Sequence, residues 1–150
     1  MNRIFAALYE NNWFGIYDQN YPLIFDTLYD NGGYVKFGVS FILIPFICWL
    51  LFYRAWKYPY GNLLHWLVWL AITIVVVFST TYGIANMEIL ASSNQALNNA
   101  ISNSSTGYAG YSASLPLKYA LFNGSLTLVI GFIYSLILKQ YSKIQIHLPF

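Results

Sequence analysis

Three long stretches without a charged side chain constrain this sequence more than any other feature. They run from Phe37 to Tyr53, from Tyr58 to Met87 and from Tyr119 to Leu138, and contain no Asp, Glu, Lys or Arg. A helix rises about 1.5 Å per residue and the hydrocarbon layer of a bilayer is about 30 Å thick, so roughly 20 apolar residues cross it. We therefore predict an all-α, polytopic membrane protein with three transmembrane helices.

Composition supports the same class. Of the 150 residues, 58% are hydrophobic and only 8% are charged, whereas a soluble domain carries about 25% charged residues. The net charge of +2 is dispersed along the chain, and a nucleic-acid surface would need its basic residues gathered on one face. The expected surroundings are the lipid bilayer and other membrane proteins, and no nucleic acid.

Glycine and proline residues mark the limits of the predicted helices. Pro59 and Gly61 interrupt the connection between the first two, and Pro116 is expected in the first turn of the third, with Lys118 at the membrane boundary. Aromatic rings around the first connection predict an interfacial belt. Its members are Trp49, Tyr53, Trp56, Tyr58, Tyr60, Trp66 and Trp69. The predicted spans are residues 34–53, 63–84 and 117–138.

The basic residues set the expected orientation, because Lys and Arg favour the cytoplasmic side. With the N-terminus outside, the inner segments carry Arg54, Lys57, Lys139 and Lys143, and the outer ones carry Arg3, Lys36 and Lys118. We therefore expect an outside N-terminus and a cytoplasmic tail at residues 139–150. The richness in Asn, Ile, Tyr and Phe is typical of an AT-rich genome. We therefore expect a bacterial inner membrane.

The first 33 residues carry an aromatic residue at every fourth position. Because this spacing drifts by about 40° per step on a helix of 3.6 residues per turn, it predicts two short helices rather than one. They are expected from Arg3 to Tyr9 and from Pro22 to just before Asn31. The segment either lies on the outer leaflet as interfacial helices or docks a partner through exposed rings. The docking candidates are Trp13, Tyr17, Tyr21, Phe25 and Tyr29.

The second connection, residues 85–116, carries Glu88 as its single charge, and half of its residues are Ser, Thr, Asn, Gln or Gly. Leu97 and Ile101 continue the apolar pattern of the second span, which predicts a helix that extends to about Ile101. The composition from Ser102 to Ser114 predicts a polar outer loop. Such a loop is either a flexible linker or a binding loop that a partner orders.

Polar and small residues recur along the third predicted span. Buried polar groups in lipid need partners, and the simple interpretation is interhelical hydrogen bonding, worth about 0.6 kcal/mol each; the alternative is a polar path. Glycine and serine at i, i+7 and i+11 predict a groove that admits another helix, from the same chain or from another one. The helix-packing or assembly candidates are Asn123, Gly124, Thr127, Gly131 and Ser135.

Residues suited to catalysis are scarce. The predicted spans contain no Asp or Glu, a single histidine, His65, and the lone cysteine, Cys48. An active site needs a nucleophile with a base, paired carboxylates or convergent metal ligands. No zinc spacing, phosphate loop or nucleotide fingerprint occurs in the sequence. We therefore expect no enzymatic activity, no cofactor and no metal, and interpret His65 as interfacial.

Two functions fit these features. The first is a non-enzymatic integral membrane subunit that anchors or scaffolds a multiprotein membrane complex. The second is a homo-oligomeric pore or membrane-disrupting protein, because three spans with an outside N-terminus resemble phage holins in layout. Holins have shorter loops and a more charged cytoplasmic tail, so no residue role carries over from that resemblance. A solute carrier, or an enzyme subunit completed by another chain, would require assembly and ranks third.

Overall fold

A computed structural model describes residues 2–11, 13–55 and 63–141. Within these ranges the chain is helical and contains no strand, which confirms the all-α class. A π-helical turn at Asn86–Leu90 continues the fourth helix, and 3₁₀ turns lie at Trp13–Gly15 and Ser104–Thr106. The helices are α1 (Asn2–Glu10), α2 (Pro22–Asp30), α3 (Gly33–Ala55), α4 (Leu63–Ala85), α5 (Gln95–Ser102) and α6 (Tyr108–Lys139).

The three long helices α3, α4 and α6 pack on one another. They are long and apolar enough to cross a membrane, over Gly33–Arg54, Leu63–Leu90 and Tyr108–Lys139. The surfaces that face away from the bundle are mainly Leu, Ile, Val and Phe, as expected for contact with lipid chains. The described residues therefore contain three helices that could span a membrane, at the positions that the charge-free stretches predict.

The predicted start of the third long helix, at residue 117, is wrong. Helix α6 begins at Tyr108, after a left-handed Gly107, and Pro116 lies inside the helix rather than in its first turn. Tyr108, Ser112 and Leu115 are buried on one face of this extension, which packs against α5. Tertiary packing of one face stabilises a helix more than the intrinsic preference of its residues does, so composition alone indicates a loop here.

The predicted outer loop at 85–116 is also corrected, because most of it is helical. The extension of the second span stops at Leu90, and α5 is a separate helix. Asn94 separates the two: its backbone is extended and its side chain accepts hydrogen bonds from the amides of Ala96 and Leu97. Asparagine favours this N-cap role over a position inside a helix. The apolar pattern that predicted one continuous helix to about Ile101 therefore spans two separate helices.

The first two helices lie close to their predicted limits and pack on the bundle. The Phe5 ring of α1 contacts α3 at Gly38, where an added Cβ atom would lie 2.2 Å from that ring. Tyr9 is completely buried. We call this region the covered end: α1, α2, the π-helical turn and α5 surround the start of α3, the end of α4 and the first half of α6.

The opposite end of the bundle, which we call the tryptophan end, holds a second apolar cluster. Trp49, Phe52, Tyr53 and Trp66 are buried there, with Trp69 packed beside them. The indole rings of Trp49 and Trp66 lie 5.4 Å apart between centroids. The other members of the predicted belt, Trp56, Tyr58 and Tyr60, lie outside the described residues, as do Pro59, Gly61 and residues 142–150 of the predicted tail.

Candidate functional site

A buried network of polar side chains joins four helices at the covered end. Asn123 of α6 is at its centre and has no exposed surface. Its side-chain oxygen accepts a hydrogen bond from the Tyr9 hydroxyl at 2.8 Å. Its amide nitrogen donates to Thr81 Oγ1 at 3.0 Å and to the Phe37 carbonyl at 3.2 Å. A single side chain therefore ties α1, α3 and α4 to α6.

The neighbours of Asn123 complete the network. Ser40 Oγ lies 2.7 Å from the Phe37 carbonyl oxygen and 3.3 Å from Thr81 Oγ1. Thr127 Oγ1 donates to the backbone carbonyl of Asn123 at 2.7 Å. Because these polar groups pair with one another within the chain, the cost of burying them is offset. The arrangement holds helices together and forms a closed set of bonds rather than a continuous polar path.

Tyr9 is the member of this network that sequence reasoning missed. Its ring stacks on Tyr34 at 5.9 Å and contacts Phe37, Tyr119 and Phe122 edge-on. Burial raises the pKa of the Tyr9 phenol well above its ordinary value of 10.0, and the hydrogen bond to Asn123 opposes that shift. The regular aromatic spacing of the N-terminal segment marks Tyr9, but a spacing cannot identify a partner 114 residues away.

The small residues of α6 face helices of the same chain. A Cβ atom added at Gly124 would lie 3.7 Å from Ile74 of α4, and one added at Gly131 would lie 2.9 Å from Trp49 Nε1 of α3. Ser135 is completely buried, and its hydroxyl oxygen accepts a hydrogen bond from the Trp66 indole N–H at 2.7 Å. The groove on this face is thus occupied by α3 and α4. Assembly with another chain through these residues stays a prediction.

The aromatic docking candidates are placed differently from one another. Phe25 is buried, and Tyr17 packs on it at 4.7 Å between ring centroids. Tyr21 stacks on Tyr111 of α6 at 4.3 Å. Tyr29 is exposed over 40% of its surface, and the structure describes only the backbone of Trp13. Tyr29 is therefore the most exposed of the described candidate rings, and docking through this set stays a prediction.

Two further contacts fix the turn between α1 and α2 onto α6. Lys118 Nζ donates to the Gly15 carbonyl at 2.9 Å, and the Tyr111 hydroxyl donates to the Ile16 carbonyl at 2.5 Å. Phe14, at the same turn, has a left-handed backbone with φ of 66°, a conformation that costs energy in a residue with a side chain. Lys118 thus holds the N-terminal segment on α6, and its place at the membrane boundary stays a prediction.

The described residues contain no cluster of three or more His, Cys, Asp or Glu side chains that could hold a metal ion. Cys48 is half-buried in α3 as a free thiol. Its backbone carbonyl accepts a hydrogen bond from the Trp69 indole N–H at 2.7 Å. His65 lies in the first turn of α4, on the tryptophan end. Neither residue belongs to the network around Asn123.

A pair of small residues on α4 is a second feature that sequence reasoning missed. Ser79 is exposed, and a Cβ atom added at Gly83 would meet nothing within 4 Å. Two small residues at i and i+4 allow the backbone of another helix to approach closely. This spacing is readable in the sequence, but the exposure of the pair depends on which faces of α4 the neighbouring helices cover.

No known protein family, curated protein sequence or solved structure matches this chain.

Proposed function

We propose that this chain is a non-enzymatic integral membrane subunit that anchors or scaffolds a multiprotein membrane complex. We further propose that it resides in a bacterial inner membrane with the N-terminus outside and the C-terminus in the cytoplasm. The observation that carries the proposal is the open face of α4, where Ser79 and Gly83 provide a place for a helix of another subunit.

Helix α4 has far more uncovered surface than the other two long helices. In its most apolar window 17% of the residues are buried, against 39% in α3 and 33% in α6. Val75 and Val76 are exposed above Ser79, and Tyr82 is exposed beside Gly83. Large apolar side chains around a small-residue notch provide the van der Waals contact that drives helix association in lipid. A transmembrane helix of a different chain is the expected occupant.

The closed network of α6 favours this function over a pore. A homo-oligomeric channel needs polar side chains directed towards a common axis, and Asn123 and Thr127 instead form hydrogen bonds inside the chain. Using them in a channel would leave the Tyr9 hydroxyl buried without its acceptor. An unsatisfied buried donor costs about 1–3 kcal/mol. The buried side chains of Asn123 and Thr127 therefore need no second copy of the chain as a partner.

The test replaces the notch on α4 by a bulky side chain. Gly83→Leu fills the space beside Ser79, whereas Gly110→Leu, at another glycine whose added Cβ would meet nothing within 4 Å, is the matched control. Both variants and the wild type are extracted gently from the host membrane, and co-purifying proteins are quantified by mass spectrometry. We expect Gly83→Leu to lose a fixed set of partners that the control and the wild type retain.

Two results would contradict the proposal. A wild-type protein that is always a monomer without co-purifying protein would remove the basis for a subunit. A ring of identical chains that dissipates the membrane potential at high expression would establish the pore instead. An intact membrane potential together with retained partners in the wild type supports the scaffold function.

A further inference from the structure

A polar cavity of about 340 Å³ opens at the covered end, between the start of α3 and the end of α4. Its lining includes Asn31, Lys36, Met87, Glu88, Ser92 and Ser93. Lys36 Nζ and Glu88 Oε1 lie 2.5 Å apart, with 49% and 14% of the two side chains exposed. The cavity is open to its surroundings, and its lining is mainly polar.

The cavity lies at the level of lipid headgroups. Lys36 begins and Arg54 ends the charge-free part of α3, and 18 residues of helix separate them by about 27 Å. This length matches the hydrocarbon thickness of about 30 Å, so Lys36 lies at one membrane surface and Arg54 at the other. Met87, exposed over 70% of its surface, adds an apolar edge to the cavity on which an acyl chain can pack.

Lys36 and Glu88 each lie near a helix end whose dipole has the same sign as the side chain. Lys36 is in the first turn of α3, where the helix dipole is positive. Glu88 follows the carboxyl end of α4, where the dipole is negative. Lys36 and Glu88 compensate each other within the chain as an ion pair. A molecule that carries a phosphate and an ammonium a few ångströms apart can replace this pair, because it offers an anion to the α3 side and a cation to the α4 side.

We propose that this cavity binds a phosphoethanolamine group, with the phosphate on Lys36 and the primary ammonium on Glu88. Asn31 and Ser93 also line the cavity and carry side-chain donors. A primary ammonium donates hydrogen bonds to a carboxylate, whereas the quaternary ammonium of choline has no N–H and is bound by aromatic rings. No aromatic ring lines the cavity within the described part of the chain, so ethanolamine is selected over choline.

The test measures lipid retention by the full-length protein. The protein is purified in mild detergent and mixed with phosphatidylethanolamine, phosphatidylcholine or phosphatidylglycerol of identical acyl chains, and bound lipid is counted by native mass spectrometry. We expect the wild type to retain phosphatidylethanolamine at least tenfold better than phosphatidylcholine. Equal retention of the three lipids by the wild type would overturn the proposal, whatever the variants do.

Charge-removing variants test the two halves of the site separately. Lys36→Gln is expected to lose the retained phosphatidylethanolamine. Glu88→Gln leaves the cation of Lys36 unopposed, so the preference is expected to move to the anionic phosphatidylglycerol. Arg54→Gln removes a basic residue at the opposite membrane surface and is expected to bind as the wild type does. A phosphatidylethanolamine preference that survives in both cavity variants would overturn the assignment to this cavity.

The source of the group is distinguished with a soluble probe. Glycerophosphoethanolamine that protects the detergent-solubilised protein from heat in a Lys36-dependent manner indicates a free solute. Retention of the lipid with no such protection indicates a membrane headgroup, and both results support the site. The measurement does not depend on partner subunits, so its failure is separate from failure of the scaffold proposal.

Discussion

Replacing Asn123 by leucine tests how the covered end is held together. The substitution keeps the branching of the side chain but removes three hydrogen bonds, to Tyr9, Thr81 and Phe37. Interhelical hydrogen bonds in membranes are worth about 0.6 kcal/mol each, which gives about 2 kcal/mol for the three. Thr81 and the Phe37 carbonyl keep Ser40 as a neighbour, whereas the Tyr9 hydroxyl is left buried without an acceptor.

The orphaned hydroxyl raises the expected loss. The bonds to Thr81 and Phe37 account for about 1 kcal/mol of that sum, and the unsatisfied Tyr9 donor costs about 1–3 kcal/mol in place of its own bond, so we expect Asn123→Leu to lower the free energy of unfolding by about 2–4 kcal/mol. Tyr9→Phe removes the donor as well as its bond and is expected to cost about 1 kcal/mol. Combining the two changes removes both partners. The double variant should therefore lose about 1 kcal/mol less unfolding free energy than the sum of the two single losses.

The assay is reversible unfolding in mild detergent with increasing SDS, followed by tryptophan fluorescence. Ser125→Ala is the control, because Ser125 is exposed on the same helix and its hydroxyl bonds only to the Leu121 carbonyl; its effect should stay within about 0.5 kcal/mol. An Asn123→Leu variant that is as stable as this control would refute the network, and strictly additive effects at positions 9 and 123 would refute the contact between α1 and α6.

Two other variants and a pH comparison extend the test. Gly38→Ala places a Cβ atom 2.2 Å from the Phe5 ring and should cost about 1–3 kcal/mol through overpacking, with faster proteolysis of α1; unchanged proteolysis would count against docking of α1 on α3. Gly131→Ala places its Cβ atom 2.9 Å from Trp49 Nε1 and should cost a similar amount, which a neutral effect on the unfolding midpoint would contradict. Because burial raises the pKa of Tyr9 above 10.0, its contribution to stability is complete below about pH 10 and is lost as the pH rises towards the folded-state pKa. The stability of the wild type should therefore fall relative to Tyr9→Phe between pH 9 and pH 11, and parallel curves would disprove the burial of an un-ionised phenol.

The sequence predicts the three long apolar helices well because their signal is local. A stretch without charge and long enough to cross the hydrocarbon layer has few alternatives. The limits of α3 and α4 are therefore close to those predicted, as are those of α1 and α2, where Pro22 and Gly32 mark the turns.

The first half of α6 could not be predicted in the same way. Residues 108–116 are rich in Ser, Gly and Ala, which is typical of a loop, and they form a helix because Tyr108, Ser112 and Leu115 pack against other elements. The stabilising partners are distant in sequence, so no local pattern reports them.

The candidate site was predicted in part for the same reason. Asn123, Thr127 and the small residues of α6 follow from the cost of burying polar groups and from helical spacing. Their partners do not, because the hydrogen bond from Tyr9 and the contact with Trp49 join elements far apart along the chain. The pair at Ser79 and Gly83 has a readable spacing, but its importance depends on the exposed face of α4.

The most direct measurement of the central proposal is the native mass of the wild-type protein extracted gently from its own host membrane. We predict a complex in which this chain is present at a fixed ratio with different membrane proteins. A species with the mass of one chain alone, or of a ring of identical chains, would contradict the scaffold function.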